Sequence, residues 1–527
     1  MTQALVLITF LVAVVVLSVL AKRFHVPYPI AFVIGGIGLA FSKNLPHPHV
    51  EPDLILLVVV PPLLFSAAWT TDWVALRRNA RPVSLLAIGL VLVTTGAVAV
   101  FVHSLVGFGW ALAFTLGAIV SPPDAVAAEA IFEHLAVPRR VATIISGECL
   151  FNDATALVVY RFALAAAVSG AFSLARASVA FVLVVAGGIL VGIVAAFALE
   201  AVLRYIRARE FDDPLITSVI FLLAPFVSYL PAEELHLSGV LAAVTAGIVM
   251  SRRAVHFIDS EARVIASSVW RLLTFILNAF AFLLIGLELP LIVAELVPHV
   301  RSYVLYGFGL ALLVIVVRIL WVFPATYLPR VFSARLRRRD PSPPWQWVAV
   351  LGWSGMRGII SLAAALALPY SLGEQAFPER GVAIFFTFCV IFATLVVQGA
   401  TLGPLIEWLG VTETSKGQKL ESALRVRALE AGVRRLHEIV ARDKNDADTD
   451  IASRILEEYD QRIDVLNGKV PEEEAKELPA EVDRRLQKEA LDAERRSIVA
   501  MRGAGEIPDD IYRSIEYDLD LAALRLS

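Results

Sequence analysis

The stretch GECLFNDATALVVY, residues 147–160, sets Glu148, Asn152 and Asp153 within a turn and a half of an otherwise apolar helical run. Glu148 and Asn152 are four apart and share a helix face, while Asp153 sits about 100° further round. If the run crosses a membrane, hydrocarbon offers these groups no water, so each needs a partner or a purpose.

Composition says that it does cross. The chain has 527 residues, 58% of them hydrophobic, and a mean hydropathy of +0.72. Residues 1–410 hold 48 charged side chains, whereas residues 411–527 hold 47, with a net charge of −7. A transmembrane domain over 1–410 and a charged helical cytoplasmic domain over 411–527 follow. The two cysteines, Cys149 and Cys389, both fall in apolar runs and offer neither a disulfide framework nor metal spacing. The first apolar run, Leu5 to Leu20, has no basic leader or small-residue cleavage site and reads as a retained helix.

A span needs about 20 apolar residues. Thirteen stretches qualify: 3–21, 27–42, 53–70, 83–106, 109–133, 140–169, 175–203, 213–230, 235–251, 265–287, 302–327, 345–370 and 381–409. Basic residues test the count. Loops after odd-numbered spans hold eighteen Lys and Arg, including Lys22, Arg77, Arg139, Arg204, Arg252 and Arg330; loops after even-numbered spans hold Lys43, Arg176, Arg301 and Arg380. The positive-inside bias places the N-terminus outside and the tail in the cytoplasm.

Two spans are broken. In AIVSPPDAVAAEAIF, Pro122 and Pro123 remove two amide donors, so the fifth span cannot run straight through. Asp124 follows where a second half-helix begins, and its charge suits that positive end. In LGWSGMRGIISLAAALALP, Gly352, Gly355 and Gly358 weaken the twelfth span around one charge, Arg357, a cation suited to the carbonyl ends of an interrupted helix. Taking spans 1–6 and 8–13 as inverted six-helix repeats, the breaks occupy matching places, the pattern of a transporter's midplane binding site.

The polar cluster then divides by role. Polar residues in membranes often only glue helices, and Glu148 fits that reading, with Arg357 as its natural partner. Asp153 has no evident cation. It suits a site that gives up a proton near neutral pH and then takes a monovalent cation through oxygen. Backbone carbonyls freed at Ser121–Pro123 complete such a shell; Asp124 is either a direct ligand or a dipole partner. Asn152 does not titrate and serves to orient or hydrogen-bond. Glu129, one turn beyond Asp124, is placed to line an entrance. Glu233 reads as structural, and Arg161 and Arg318 as snorkelling or pairing.

SPPDAVAAEAIF, GECLFNDATALVVY, YLPAEELHLSGVLAAVTAG, FLLIGLELP, GWSGMRGIISLAAALALP and TLVVQGATL occur in that order. Together, over residues 5–410, they resemble the cation:proton antiporter-1 family: the NhaP-like bacterial sodium/proton antiporters and their eukaryotic exchanger relatives. The resemblance implies a thirteen-span fold with a dimerisation domain and a six-helix core, a homodimer, and a bacterial cytoplasmic membrane. It implies that Asp153 is the exchanging carboxylate with Asn152 beside it, that Asp124 belongs to the crossed unwound region, and that Glu148 and Arg357 form an ion pair steadying Asn152. Asn before the key carboxylate implies electroneutral exchange, in line with one titrating group. The chain departs from the family at three places. Pro123 stands where many members have Thr, with Ala125 in the place of Pro; Ser66 replaces an acidic residue and is a possible ligand; and Cys149 replaces Ser.

The tail repeats apolar positions at three and four, as in SALRVRALEAGVRRLHEIVAR, the pattern of amphipathic helices. It supports the dimer or regulates, with no identified partner, and holds no phosphate-binding motif. No cofactor, enzyme activity or nucleic-acid partner is expected: the cargo is a proton and Na⁺, with K⁺ or Li⁺ as alternatives. A cation channel is the next reading, but no carbonyl-filter sequence is present. An intramembrane enzyme lacks HExxH, although Asp124 and Asp153 nominally form an aspartyl pair.

Overall fold

The computed structural model describes residues 2–24, 26–41, 57–71, 73–124, 128–129, 131–132, 135, 137–169, 174–209, 213–253, 260–296, 300–369, 371–372, 375–377, 379–411, 433 and 464. The tail's helical patterns and Ala125 lie outside these. By internal contacts the chain divides into Met1–Thr412 and Glu413–Ser527.

The described fold is helical. Its first helices are α1 (Thr2–Phe24), α2 (Tyr28–Ala40), α3 (Val60–Thr70), α4 (Trp73–Arg78), α5 (Ala80–Val106) and α6 (Trp110–Val120). The middle of the chain forms α7 (Arg139–Ser169), α8 (Leu174–Ala208), α9 (Pro214–Glu234), α10 (Gly239–Arg253) and α11 (Ser260–Glu295). Then come α12 (Val300–Phe332), α13 (Ala334–Arg339), α14 (Trp345–Trp353), α15 (Ile359–Leu366) and α16 (Arg380–Leu409). The fold is all-α as expected, with one antiparallel pair of two-residue strands before α16, β1 (Ser371–Leu372) and β2 (Gln375–Ala376). Among the described residues seven helices are long and apolar enough to cross a membrane, and α2 and α6 are shorter apolar helices.

Local chemistry sets the boundaries. Gly107 at φ +87° closes α5 and Gly410 at φ +63° closes α16 in the left-handed conformation that favours glycine. The Asp213 side chain caps α9 by accepting from the Leu215 amide at 2.7 Å. Where helices touch, small residues bring backbones together: a Cβ on Gly36 would lie 2.3 Å from the Leu283 carbonyl, and one on Gly286 would lie 2.1 Å from that of Val33. That seam joins α2 to α11 by backbone packing, the way helices associate where lipid removes the hydrophobic drive.

Both expected breaks are present. Helix stops at Val120 and is absent from Ser121 to Asp124, while α14 and α15 are separated by Ser354–Gly358. The broken segments lie in the buried core, where Arg318 and Arg357 are among the largest fully buried side chains of the described residues.

At one end of α12 the chain is pinned through Asp340. Arg140 donates to it at 2.7 Å and Arg330 at 2.6 Å. Burial pushes the Asp340 carboxyl up, but the Arg140 hydrogen bond and the charges of Arg140, Arg330 and Arg81 outweigh it and hold the group below its ordinary value. A depressed value gives stability that is present above the unfolded value of about 3.9 and is lost as the pH falls through the folded one. Asp340→Asn should therefore melt below the parent at neutral pH. The gap should close as the pH drops below about 4, checked by thermal melts across that range.

Candidate ion-binding site

Helix α7 carries polar groups on two faces. On one, Ser146, Cys149 and Asp153 look into a cavity of about 500 Å³. The opposite wall comes from Leu63, Ala67 and Thr70 of α3, and Asp124, Asn278 and Ile359 also line it. The cavity extends to Thr71 and Arg139, at the ends of α3 and α7. Asp153 is 6% exposed, and among the described residues no cation bridges it. Glu129 lines the cavity, as expected, and accepts from the Ser146 hydroxyl at 2.5 Å.

The other face turns inward. Glu148 and Asn152 are fully buried, but Glu148 pairs with Arg318 of α12, not with Arg357. The Arg318 guanidinium meets both carboxylate oxygens, at 2.5 and 2.9 Å, and donates further to the Leu351 carbonyl at 3.0 Å. A fork on two oxygens is the strong geometry for such a pair. The expected partner is drawn elsewhere: Arg357 donates to the carbonyls of Val120 at 3.1 Å, Ser121 at 3.3 Å, and Gly355. The first two end α6, where the helix dipole is negative and carbonyls lack helical partners. The expected role of Arg357 at an interrupted helix is thus its observed geometry, and its pairing with Glu148 is corrected.

The same contacts revise the ligand set. The Ser121 carbonyl is engaged by Arg357 and its hydroxyl donates to Ala118; the Pro123 carbonyl accepts from Asn152 Nδ2 at 3.5 Å. Ser66 lies on α3 but does not line the cavity, where Ala67 and Thr70 do. Asp153, Asp124 and Glu129 are the carboxylates that the structure brings to one cavity, with Glu129 bonded to the Ser146 hydroxyl.

Asp124 also joins the two breaks. Its amide donates to the Met356 carbonyl at 2.7 Å, and its Oδ2 accepts from the Ile359 amide at 3.3 Å, at the positive end of α15. Gly358 makes room, since a Cβ there would lie 1.6 Å from Asp124 Oδ2. The Arg357 amide is held by the Thr394 hydroxyl at 3.0 Å. Sequence reasoning passed over Thr394 and Asn278. Asn278 had a signal, as a lone amide in LTFILNAFAFLL; its Oδ1 is buried without a hydrogen-bond partner.

Crossed half-helices, buried cations that neutralise them, and a carboxylate-lined cavity define a membrane transporter rather than an enzyme. The chain belongs to the sodium/hydrogen exchanger transmembrane family, whose model matches residues 7–408, and is a cation/proton antiporter. It is 31% identical over 520 residues to the uncharacterized Na⁺/H⁺ exchanger YjcE of Escherichia coli, covering 94% of each chain. It is 32% identical over 408 residues to the sodium, potassium, lithium and rubidium/H⁺ antiporter of Bacillus pumilus, covering 75% of this chain and 60% of that one. The structure of the sodium proton antiporter MjNhaP1 from Methanocaldococcus jannaschii matches with a TM-score of 0.59 at 18% identity, over 78% of this chain and 99% of that one. That last likeness is one of fold.

Two outcomes test the geometry. Removing one partner of the buried pair, by Glu148→Gln or Arg318→Met, should cost about 3–5 kcal/mol, and the double variant much less than the sum. The same cycle between positions 148 and 357 should show the smaller coupling; denaturation of purified protein measures both. Gly358→Ala should abolish transport, because the added methyl displaces the Asp124 carboxylate, and vesicle flux reads the loss.

Proposed function

We propose that this antiporter exchanges one proton for one monovalent cation, Na⁺ foremost, with Asp153 binding each in turn. One observation carries the reading: Asp153 is the buried carboxylate of α7 that faces the cavity, whereas Glu148, on the other face, is committed to Arg318. Asp124 holds the start of α15 and adds negative charge to the same wall. Asn152 shapes the site through Pro123. With one group left to trade, exchange is electroneutral, and proton and cation are cargo that call for no cofactor.

Alternating access follows from the two ends of α7. At its start the cavity reaches Arg139, on the side of the basic loops, so the state is open to the cytoplasm by the positive-inside rule. Beyond Asp153, nearer the other end of α7, the Arg161 guanidinium grips Glu233 of α9 at 2.6 and 2.7 Å. The N-terminus lies outside, residues 411–527 form a cytoplasmic domain, and the protein works as a homodimer in the bacterial cytoplasmic membrane. Loop charge and the family resemblance support these assignments.

A second reading, K⁺ or Li⁺ exchange, is favoured by the name of the Bacillus pumilus relative, which includes both ions. Cavity lining by carboxylates and hydroxyls, without a closed shell, accommodates either. Proton flux in sealed vesicles of purified protein, triggered by Na⁺, K⁺ or Li⁺, separates the ions. Wild type should respond and Asp153→Asn, with an unchanged melting profile, should not. Equal flux in both would remove Asp153 as the exchanging group.

A further inference from the structure

Helix α7 has a second open side, away from the ion cavity. A gap of about 300 Å³ lies behind it, walled by Phe151, Ala154 and Thr155 of α7 and by Ala87 and Ile88 of α5. Phe181 and Val185 of α8 and Leu241 of α10 complete the wall. Small side chains make the opening. A Cβ on Gly147 would strike Leu76 Cδ1 and lie 3.1 Å from Val83 Cγ2, so there α7 touches α4 and α5 directly. Further along, Ala154 and Ala87 bring only methyl groups to the wall, and the helices part.

Little in the gap suits water. Its side-chain wall is hydrocarbon apart from Arg77, Ser84, Thr155 and the Trp73 ring, and the Thr155 hydroxyl donates to the Phe151 carbonyl of its own helix at 3.0 Å. Apolar cavities stay dry and take apolar guests. The rim reaches the bilayer, since Ile88 and Ile189 line the gap and are 46% and 38% exposed. The floor does not: Ala154 is 2% and Leu241 7% exposed. Because α5, α7 and α8 are apolar enough to cross the membrane, hydrocarbon is the medium at the opening.

Charge says which lipid enters. Arg77 lines the same gap from α4 and is exposed. It stands three residues ahead of the span Ala80–Val106, at headgroup depth on the face that carries the basic loops. Basic residues at that depth attract anionic headgroups, and a phosphate oxygen pair fits a guanidinium fork. Trp73, one turn before Arg77, supplies the kind of ring that settles at a membrane interface. About 300 Å³ is the lower end of the range for pockets that hold a small organic molecule, which gives room for one chain.

We propose that an anionic phospholipid docks here, with one acyl chain in the gap between α7 and α8 and its phosphate at Arg77. The chain packs against Ala154 and Thr155, the two residues that follow Asp153. A bilayer lipid thereby fills the space behind the helix that carries the ion site. The docking is independent of which carboxylate exchanges.

Photolabelling of the purified full chain in vesicles tests this, using phosphatidylglycerol or phosphatidylcholine with a diazirine on one acyl chain and mass spectrometry to map the adducts. Phosphatidylglycerol should label Ala154 and Leu241 roughly fivefold more than phosphatidylcholine, the factor one basic residue contributes near an anionic headgroup. Leu183, 63% exposed on the outside of α8, should be labelled by both and marks the surrounding lipid. Arg77→Gln, at an exposed position, should bring the phosphatidylglycerol yield down to that of phosphatidylcholine. Val185→Trp, which fills the gap from a half-buried position, should remove the Ala154 and Leu241 adducts and keep that on Leu183. Labelling of Leu183 without Ala154 or Leu241 in the wild type would overturn the site. An undiminished preference in Arg77→Gln would overturn the place of the phosphate. An equal yield from a diazirine fatty acid would overturn a phospholipid as the occupant.

Discussion

Everything in the membrane core depends on how the ends of two broken helices are satisfied away from water. Pro122 and Pro123 stop α6 in the interior, leaving carbonyls that no further turn can use. Arg357 comes from the opposing break and puts its guanidinium on Val120, Ser121 and Gly355. Because that cation is spent on carbonyls, Glu148 must be neutralised by another, and Arg318 reaches it from α12. With both arginines committed, Asp153 is left without a bridging cation on a water-reaching wall. The carboxylate proposed to exchange is thus defined by what surrounds it as much as by its own position.

The breaks were legible because proline and glycine act on the backbone directly, whatever packs around them. Pro122, Pro123 and the glycines near Arg357 gave both interruptions, and the order of the motifs gave the family. The partner of Glu148 was not legible. Two buried arginines lie 170 and 209 positions further on, and neither spacing nor composition says which one the fold delivers. Arg318 sits in an apolar run with no break to mark it, whereas Arg357 is flanked by glycines that draw attention. Ser66 misled in the opposite way. Its place came from a resemblance, and the rotation of α3 turns Ala67 and Thr70 to the cavity instead. Asn278 was passed over because one amide in an apolar helix looks like packing until the cavity is seen.

Helix α7 divides its work by face. One side is a wet wall of Ser146, Cys149 and Asp153, and the other is a dry anchor through Glu148 and Asn152. A single residue's step round the helix, from Asn152 to Asp153, separates a fully buried amide from the carboxylate proposed to exchange. Elsewhere the glycine seam between α2 and α11 shows a different way of holding helices, with carbonyls against glycine Cα and no polar side chain. The first arrangement depends on charge and the second on the absence of a side chain.

The bond from the Asp124 amide to the Met356 carbonyl has a consequence of its own. It joins the crossing segments by main chain alone, so almost any side chain can change at either position without cutting it. Pro123, beside it, can then stand where the family resemblance implied Thr while the crossing survives. Alanine scanning is blind to such a tie. Only chemistry that edits the backbone itself, an ester in place of that amide, reaches this main-chain tie between the two breaks.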